Sequence, residues 1–189
     1  MEAAGWRIAR CAGPRAAVVC GAGNNAGDGL AAARHLHRWG RLAAVSCVNA
    51  DNLRGAAAKQ LESLRKLGIE VSDAFELADA TMVVDAIFGT GLSRPPEGKY
   101  AEWIEAINAA GKDVLAVDVP SGLDADSGIP YPRCVRAGLT VTLGLPKPGL
   151  SKVSGHVLVA DIGVPVEAYA AVGIAVPPDL FAGGDLIPL

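Results

Sequence analysis

Short, almost wholly apolar runs recur along this chain, and amphipathic stretches fill the gaps between them. Ala16 to Cys20 (AAVVC), Leu42 to Val48, Ile69 to Val71, Thr81 to Asp85 (TMVVD), Val114 to Asp118 (VLAVD), Leu139 to Leu143 and His156 to Asp161 read as strands. A strand that is apolar on both faces has no side for water, so it belongs in a parallel sheet covered on both sides. Residues 27–39, 53–67 and 99–110 read as helices. The second carries Leu53, Ala57, Leu61 and Leu64 along one stripe, and the third sets Trp103, Ile107 and Ala110 on one face. Gly40, Gly68 and Gly111 stop them. Alternation of this kind predicts a three-layer α/β/α sandwich, Rossmann-like, around a mostly parallel sheet.

Size and composition fit that prediction. The chain has 189 residues, of which 51% are hydrophobic and 20% charged, enough apolar material for one buried core. A single domain over residues 1–189 is expected, with roughly the last fifteen residues a tail. The net charge is −3 and no block of Lys and Arg stands out, which argues against a nucleic-acid partner. No apolar run approaches the roughly 18 residues of a membrane span. The opening Met1-Glu2-Ala3-Ala4-Gly5-Trp6 lacks the order of a secretory signal. Cys11, Cys20, Cys47 and Cys134 lie far apart with no CxxC, so they read as buried thiols of a reducing, cytoplasmic setting. His35 and His37 are two apart and point to different sides of a helix, so no zinc pattern forms.

Ligands of such sheets bind beyond the carboxyl ends of the strands. Three segments stand there: Cys20-Gly-Ala-Gly-Asn-Asn-Ala-Gly-Asp-Gly29, Asp85-Ala-Ile-Phe-Gly-Thr-Gly-Leu-Ser-Arg94 and Asp118-Val-Pro-Ser-Gly-Leu-Asp124. Two begin with an aspartate as the apolar run ends, and all three carry glycine. One aspartate after a strand is ordinarily a turn former or a cap. Two of them on neighbouring rims, with an Asn-Asn pair on a third, point instead to a polar site. Glycine there lets a ligand press on backbone N–H groups, and a helix start adds partial positive charge.

Gly21 to Ala26 fits G-x-G-x-x-G/A, a weak signal alone. The ribose-binding acid of a dinucleotide fold is missing, since Arg41 stands where it is expected and Asp51 lies well beyond. No Gly-Lys-Ser/Thr follows, which excludes a Walker A loop. Asp124-Ala-Asp-Ser-Gly128 imitates the start of a calcium loop, but Val135 replaces its closing glutamate, so it reads as a turn.

Together the three rims resemble the YjeF N-terminal domain family, the NAD(P)H-hydrate epimerases. That family's signature runs GxGNNGGDG, DAIFGTG and D-[IV]-PSG-x-D; here the text is GAGNNAGDG, DAIFGTG and DVPSGLD. Ala31 to Leu36 and Leu143-Gly-Leu-Pro-Lys-Pro-Gly149 are also similar, and the likeness runs from about residue 1 to 170. The resemblance implies an enzyme that interconverts the R and S epimers of hydrated NADH or NADPH, which carry a hydroxyl at C6 of the nicotinamide ring. A separate ATP- or ADP-dependent dehydratase, specific for S, would then complete the repair. Asn24, Asn25, Ala26, Gly27 and Asp28, with Gly89, Thr90, Gly91, Leu92, Ser93, Arg94 and Pro95, would hold the substrate. Asp118 would touch it and act as acid and base. Asn25, Asp85 and Ser121 would ligate a potassium ion, and the chain would be a homodimer.

The chemistry makes sense of those roles. The hydrated carbon bears both OH and ring nitrogen, so inversion needs C–O cleavage or ring opening, each with a proton moved by a nearby carboxyl group. Amide, carboxylate and hydroxyl are all hard oxygen donors, with too little charge for calcium. There are departures from the family's text. Ala26 replaces a glycine, which is harmless only if its backbone is right-handed. "MEAAG" resembles an internal "MENAG", so an upstream helical segment is expected to be absent. Residues 47–52 lack a lysine that some members carry, and Lys147, between two prolines, reads equally as structural or surface. Two rival readings stand beside the epimerase. One is a catalytically silent nucleotide-binding or scaffold module of the same fold, whose relatives tend to lose the rim aspartates kept here. The other is an NAD-dependent dehydrogenase, which would need a ribose acid and a hydride-transfer partner.

Overall fold

The computed structural model describes residues 1–189 and follows the expected alternation. The elements are α1 (Glu2–Cys11), β1 (Ala16–Cys20), α2 (Asn24–Arg38), β2 (Leu42–Cys47), α3 (Gly55–Lys66), β3 (Met82–Ala86), α4 (Lys99–Ala109), β4 (Asp113–Val117), β5 (Leu139–Leu143), β6 (His156–Ala160), α5 (Val166–Ala170) and β7 (Leu186–Pro188). They build one seven-stranded sheet in the order β2-β1-β3-β4-β5-β6-β7. All pairings are parallel except β6 with β7. The order reverses direction at β1, so a crevice opens between β1 and β3 at their carboxyl ends.

The alternation of side chains along each strand divides the core into two layers. Val18, Val84 and Leu115 stand in register and pack on one face with α1, α2 and α3. Val19, Val83 and Val114 point to the other face, against Trp103, Ile104 and Ile107 of α4. Both faces are dry, which is why the strand text is apolar at every position. No helix is long and apolar enough to cross a membrane. The four cysteines are free thiols; Cys20 and Cys47 are buried as expected, whereas Cys11 and Cys134, at a helix end and in a loop, are only partly covered.

Four local expectations differ from the structure. Ile69 to Val71 is not a strand; only an isolated bridge, Ser46 to Ser72, touches the edge of β2. The first ten-residue helix was not signalled, yet α1 buries Ala4, Ile8 and Ala9 against α2 and the sheet. The expected tail ends instead as the outermost strand, β7, with Asp185 paired to Arg7 and Arg10 of α1. Those contacts return the chain end to the sheet edge.

The last difference matters for the site. Helix α2 begins at Asn24, three residues earlier than the glycine-rich text implies. Glycine weakens a helix interior by about 1 kcal/mol, but here it serves close approach. A Cβ on Gly29 would lie 2.5 Å from the Ala86 Cβ and 3.1 Å from the Cys20 sulfur. Gly29→Val is therefore expected to destabilise the protein by about 2 kcal/mol or more through overpacking, read as a lower midpoint in urea denaturation.

Candidate functional site

The three glycine-bearing bends follow β1, β3 and β4, which are neighbours in the sheet, so the bends lie side by side. The approach is close: a Cβ on Gly21 would sit 2.2 Å from the Ile87 carbonyl oxygen. Between the bends opens a cavity of about 520 Å³. Its wall includes Asn24, Asn25 and Asp28 from the first bend, Gly89, Thr90, Gly91 and Leu92 from the second, and Asp118 from the third. Ala26 and Gly27 lie behind that wall, buried in the first turn of α2. Ser93, Arg94 and Pro95 are exposed and are not brought to the cavity. The extended loop turns outward after Leu92, which sequence adjacency alone does not reveal.

The start of α2 faces this space. Its N-cap, Gly23, makes no side-chain cap, so the first N–H groups of the helix are left for an anion or a polar ligand. Ala26 has no positive φ and is an ordinary helical residue, so its methyl group does not strain the turn. Phe88 and Tyr100 add an aromatic wall, with ring centroids 4.9 Å apart. Tyr100 opens α4, and in the sequence only its place at a helix start was visible.

Asp118 has an uncommon backbone. Its φ is +70°, and the N–H of Val119 donates to the Val117 carbonyl at 2.9 Å, closing a three-residue turn around it. Left-handed backbone at a residue other than glycine costs about 1–3 kcal/mol and persists where its surroundings hold it. Those surroundings are specific. Oδ1 accepts from the Leu143 N–H at 3.1 Å and the Thr142 hydroxyl at 3.3 Å, and Lys147 Nζ makes an ion pair with it. Oδ2 is the other oxygen, and it faces Gly89 across the cavity: a Cβ built there would lie 3.3 Å from Asp118 Oδ2 and 3.2 Å from Asn25 Oδ1.

Asp85 and Ser121 sit one layer deeper, both fully buried. The Ser121 hydroxyl donates to Asp85 Oδ1 at 2.6 Å, the Ser121 N–H donates to Oδ2 at 2.9 Å, and the Ile87 N–H reaches Oδ1 at 3.2 Å. The Phe88 N–H in turn donates to the Ser121 oxygen at 2.8 Å. No cationic side chain offsets this carboxylate, and burial pushes it up to about 6 against those hydrogen bonds. Asn25 Nδ2 is also buried without a partner. The oxygens of the Asp85 carboxylate, the Ser121 hydroxyl and the Asn25 amide are hard donors carrying one negative charge, the donor chemistry a monovalent cation takes; the unpartnered Asn25 Nδ2 carries N–H groups and is not itself a ligand.

Asp28 is a second carboxyl group on the cavity wall. Burial pushes it up to about 6; the charge of Asp118 adds to the rise, and the Met1 amino group 3.7 Å away opposes it. An unfolded aspartate titrates near about 3.9, so between the two values the folded state holds a proton that the unfolded chain has lost. The resulting stabilisation is complete below about pH 4 and is lost as pH rises toward 6. In urea denaturation from pH 4 to 7, wild type is expected to lose about 2–3 kcal/mol relative to Asp28→Asn.

Comparison with known proteins places the chain in a family. A family model described as "YjeF-related protein N-terminus" matches residues 1–149. The bifunctional NAD(P)H-hydrate repair enzyme Nnr of Thermofilum pendens is 46% identical over 185 residues, covering 89% of this chain and 35% of that protein. The chain thus spans about a third of the length of that bifunctional relative. The NAD(P)H-hydrate epimerase of Dehalogenimonas lykanthroporepellens is 36% identical over 180 residues, covering 94% of this chain and 74% of its own length. The crystal structure of the yeast protein YNL200c superposes with a TM-score of 0.84 at 23% identity, covering 100% of this chain and 88% of the yeast one, and so shares the fold. By the family match and the identity to these relatives, the chain belongs to the family of YjeF-related protein N-terminal domains.

Proposed function

We propose that this chain interconverts the R and S epimers of hydrated NADH and NADPH, the activity its epimerase relatives are named for. The observation that carries the reading is the Asp118 carboxylate, with one oxygen tied by three donors and the other turned into the cavity. A group so oriented is a proton carrier for one atom of a bound ligand. The free N–H groups of α2 suit the substrate's pyrophosphate, and the Phe88–Tyr100 wall suits a ring.

A ring-opening route balances with this one group. Oδ2 takes the proton of the C6 hydroxyl; the C6–O bond becomes a carbonyl as the C6–N1 bond breaks, and the carboxyl gives its proton to N1. Rotation of the aldehyde presents its other face. N1 adds back, its proton returns through Asp118 to the oxygen, and the opposite epimer closes. Backbone N–H groups of the bends stabilise the alkoxide that develops at each step.

Asn25, Asp85 and Ser121 would hold a potassium ion. When bound, it would offset the buried charge of Asp85 and stiffen the second and third bends. A separate S-specific dehydratase would consume the product; the bifunctional relatives carry two repair functions under one name.

Two measurements test the reading. Chromatography of the separated epimers should show that Asp118→Asn lowers exchange by about 10²-fold or more while the circular dichroism spectrum stays that of wild type. Unaltered exchange in that variant defeats the role of Asp118; no exchange in wild type, with NADPH still bound, leaves a binding module. Replacing choline by potassium should raise both the exchange rate and the melting temperature of wild type, and neither in Asp85→Asn. A wild type indifferent to potassium removes the ion from the site.

A further inference from the structure

Lys147 lies 29 residues beyond Asp118 in the chain, yet its ammonium is packed against that carboxylate, with side-chain exposures of 19% and 12%. The route is a second tight turn. After β5, Gly144 takes φ +76°, and the Leu145 N–H donates to the Leu143 carbonyl at 3.0 Å. Pro146 and Pro148 then fix the backbone on either side of the lysine, which reaches back over the end of β5. Its three donors are all used: on Asp118 Oδ1, on the Leu143 carbonyl at 2.9 Å and on the Thr142 hydroxyl at 3.1 Å. A buried ion pair contributes little net stability after desolvation, and apolar replacement often serves a fold as well. Nor does a core need its carboxylate on a left-handed backbone. The fold alone therefore gives no reason for this pair, whereas a cavity needing one oxygen of Asp118 held still does.

We propose that Lys147 is a positioning residue for the epimerisation. It fastens Oδ1 of Asp118 against Thr142 and Leu143, so that Oδ2 alone faces the reacting carbon. The assignment rests on the epimerase reading above. Lys147 is not itself part of the wall of that cavity; it acts through Asp118, which is. Because the lysine spends every N–H on protein acceptors, it has none left to donate to substrate.

The test measures kcat and KM for epimer exchange in wild type, Lys147→Met and Lys147→Arg, alongside the crystal structure of Lys147→Met. In the methionine variant kcat should fall about a hundredfold, the usual cost of misplacing a catalytic group. KM should change only a few-fold, because substrate contacts are intact. Arginine should recover part of kcat, since it restores a donor and a charge. In the crystal, the Asp118 carboxylate should have turned away from Gly89. A kcat within a few-fold of wild type overturns the proposal, and so does lost kcat with Asp118 unmoved. If kcat and KM change together and arginine rescues nothing, the lysine is structural and the proposal also fails. Absence of exchange in wild type sinks the epimerase reading itself; the Asp118 orientation in the variant crystal then decides the positioning role alone. Should Lys147→Met not fold, Lys147→Gln takes its place, and failure of both to fold assigns the lysine to the core and overturns the proposal.

Discussion

A single buried carboxylate ties the second bend of this molecule to the third. Asp85, near the end of β3, is fully buried with no cationic side chain beside it, and it spends its oxygens on the Ser121 N–H and hydroxyl and on the Ile87 N–H. Ser121 follows β4, so the carboxylate joins two strand ends whose residues are 36 apart. The Phe88 N–H extends the link to the loop that carries Gly89. Burying an ionised group is costly unless its lone pairs are met, and here three donors meet them. If this link is cut, the floor of the cavity loses the bonds that fix its backbone.

Above that floor the two cavity carboxyl groups sit in unlike surroundings. Asp28 is buried at a helix start and keeps its proton up to about 6. Asp118 stands beside the Lys147 ammonium on a strained turn. The strain has a plain geometric effect: a left-handed residue turns its side chain out of the direction that the strand would give it.

Glycine serves two purposes in the first bend. Gly23 leaves the helix start uncapped and open. Gly29 is inside α2, where the absence of a side chain lets the helix rest on β1 and β3. Text that reads as a flexible loop thus contains a helix pressed close to the sheet. The close packing puts the N–H groups of α2 over the crevice where the strand order reverses.

The sequence by itself determined the class of fold, because near-continuous apolar strands have only one way to be buried on both faces. It also singled out the bends that meet at the cavity, because Asp85, Asp118 and the Asn24–Asn25 pair stand where those apolar runs end. It could not show α1 or β7, whose burial comes from packing against α2 and β6 rather than from their own pattern. Nor could it separate Leu92 from Ser93, since a loop's outward turn leaves no periodicity. Only the tertiary structure brought Lys147 and Tyr100 to the cavity's edge. A contact between residues far apart in sequence depends on the angle of every turn between them, and left-handed turns such as that at Asp118 have no residue code when the residue is not glycine.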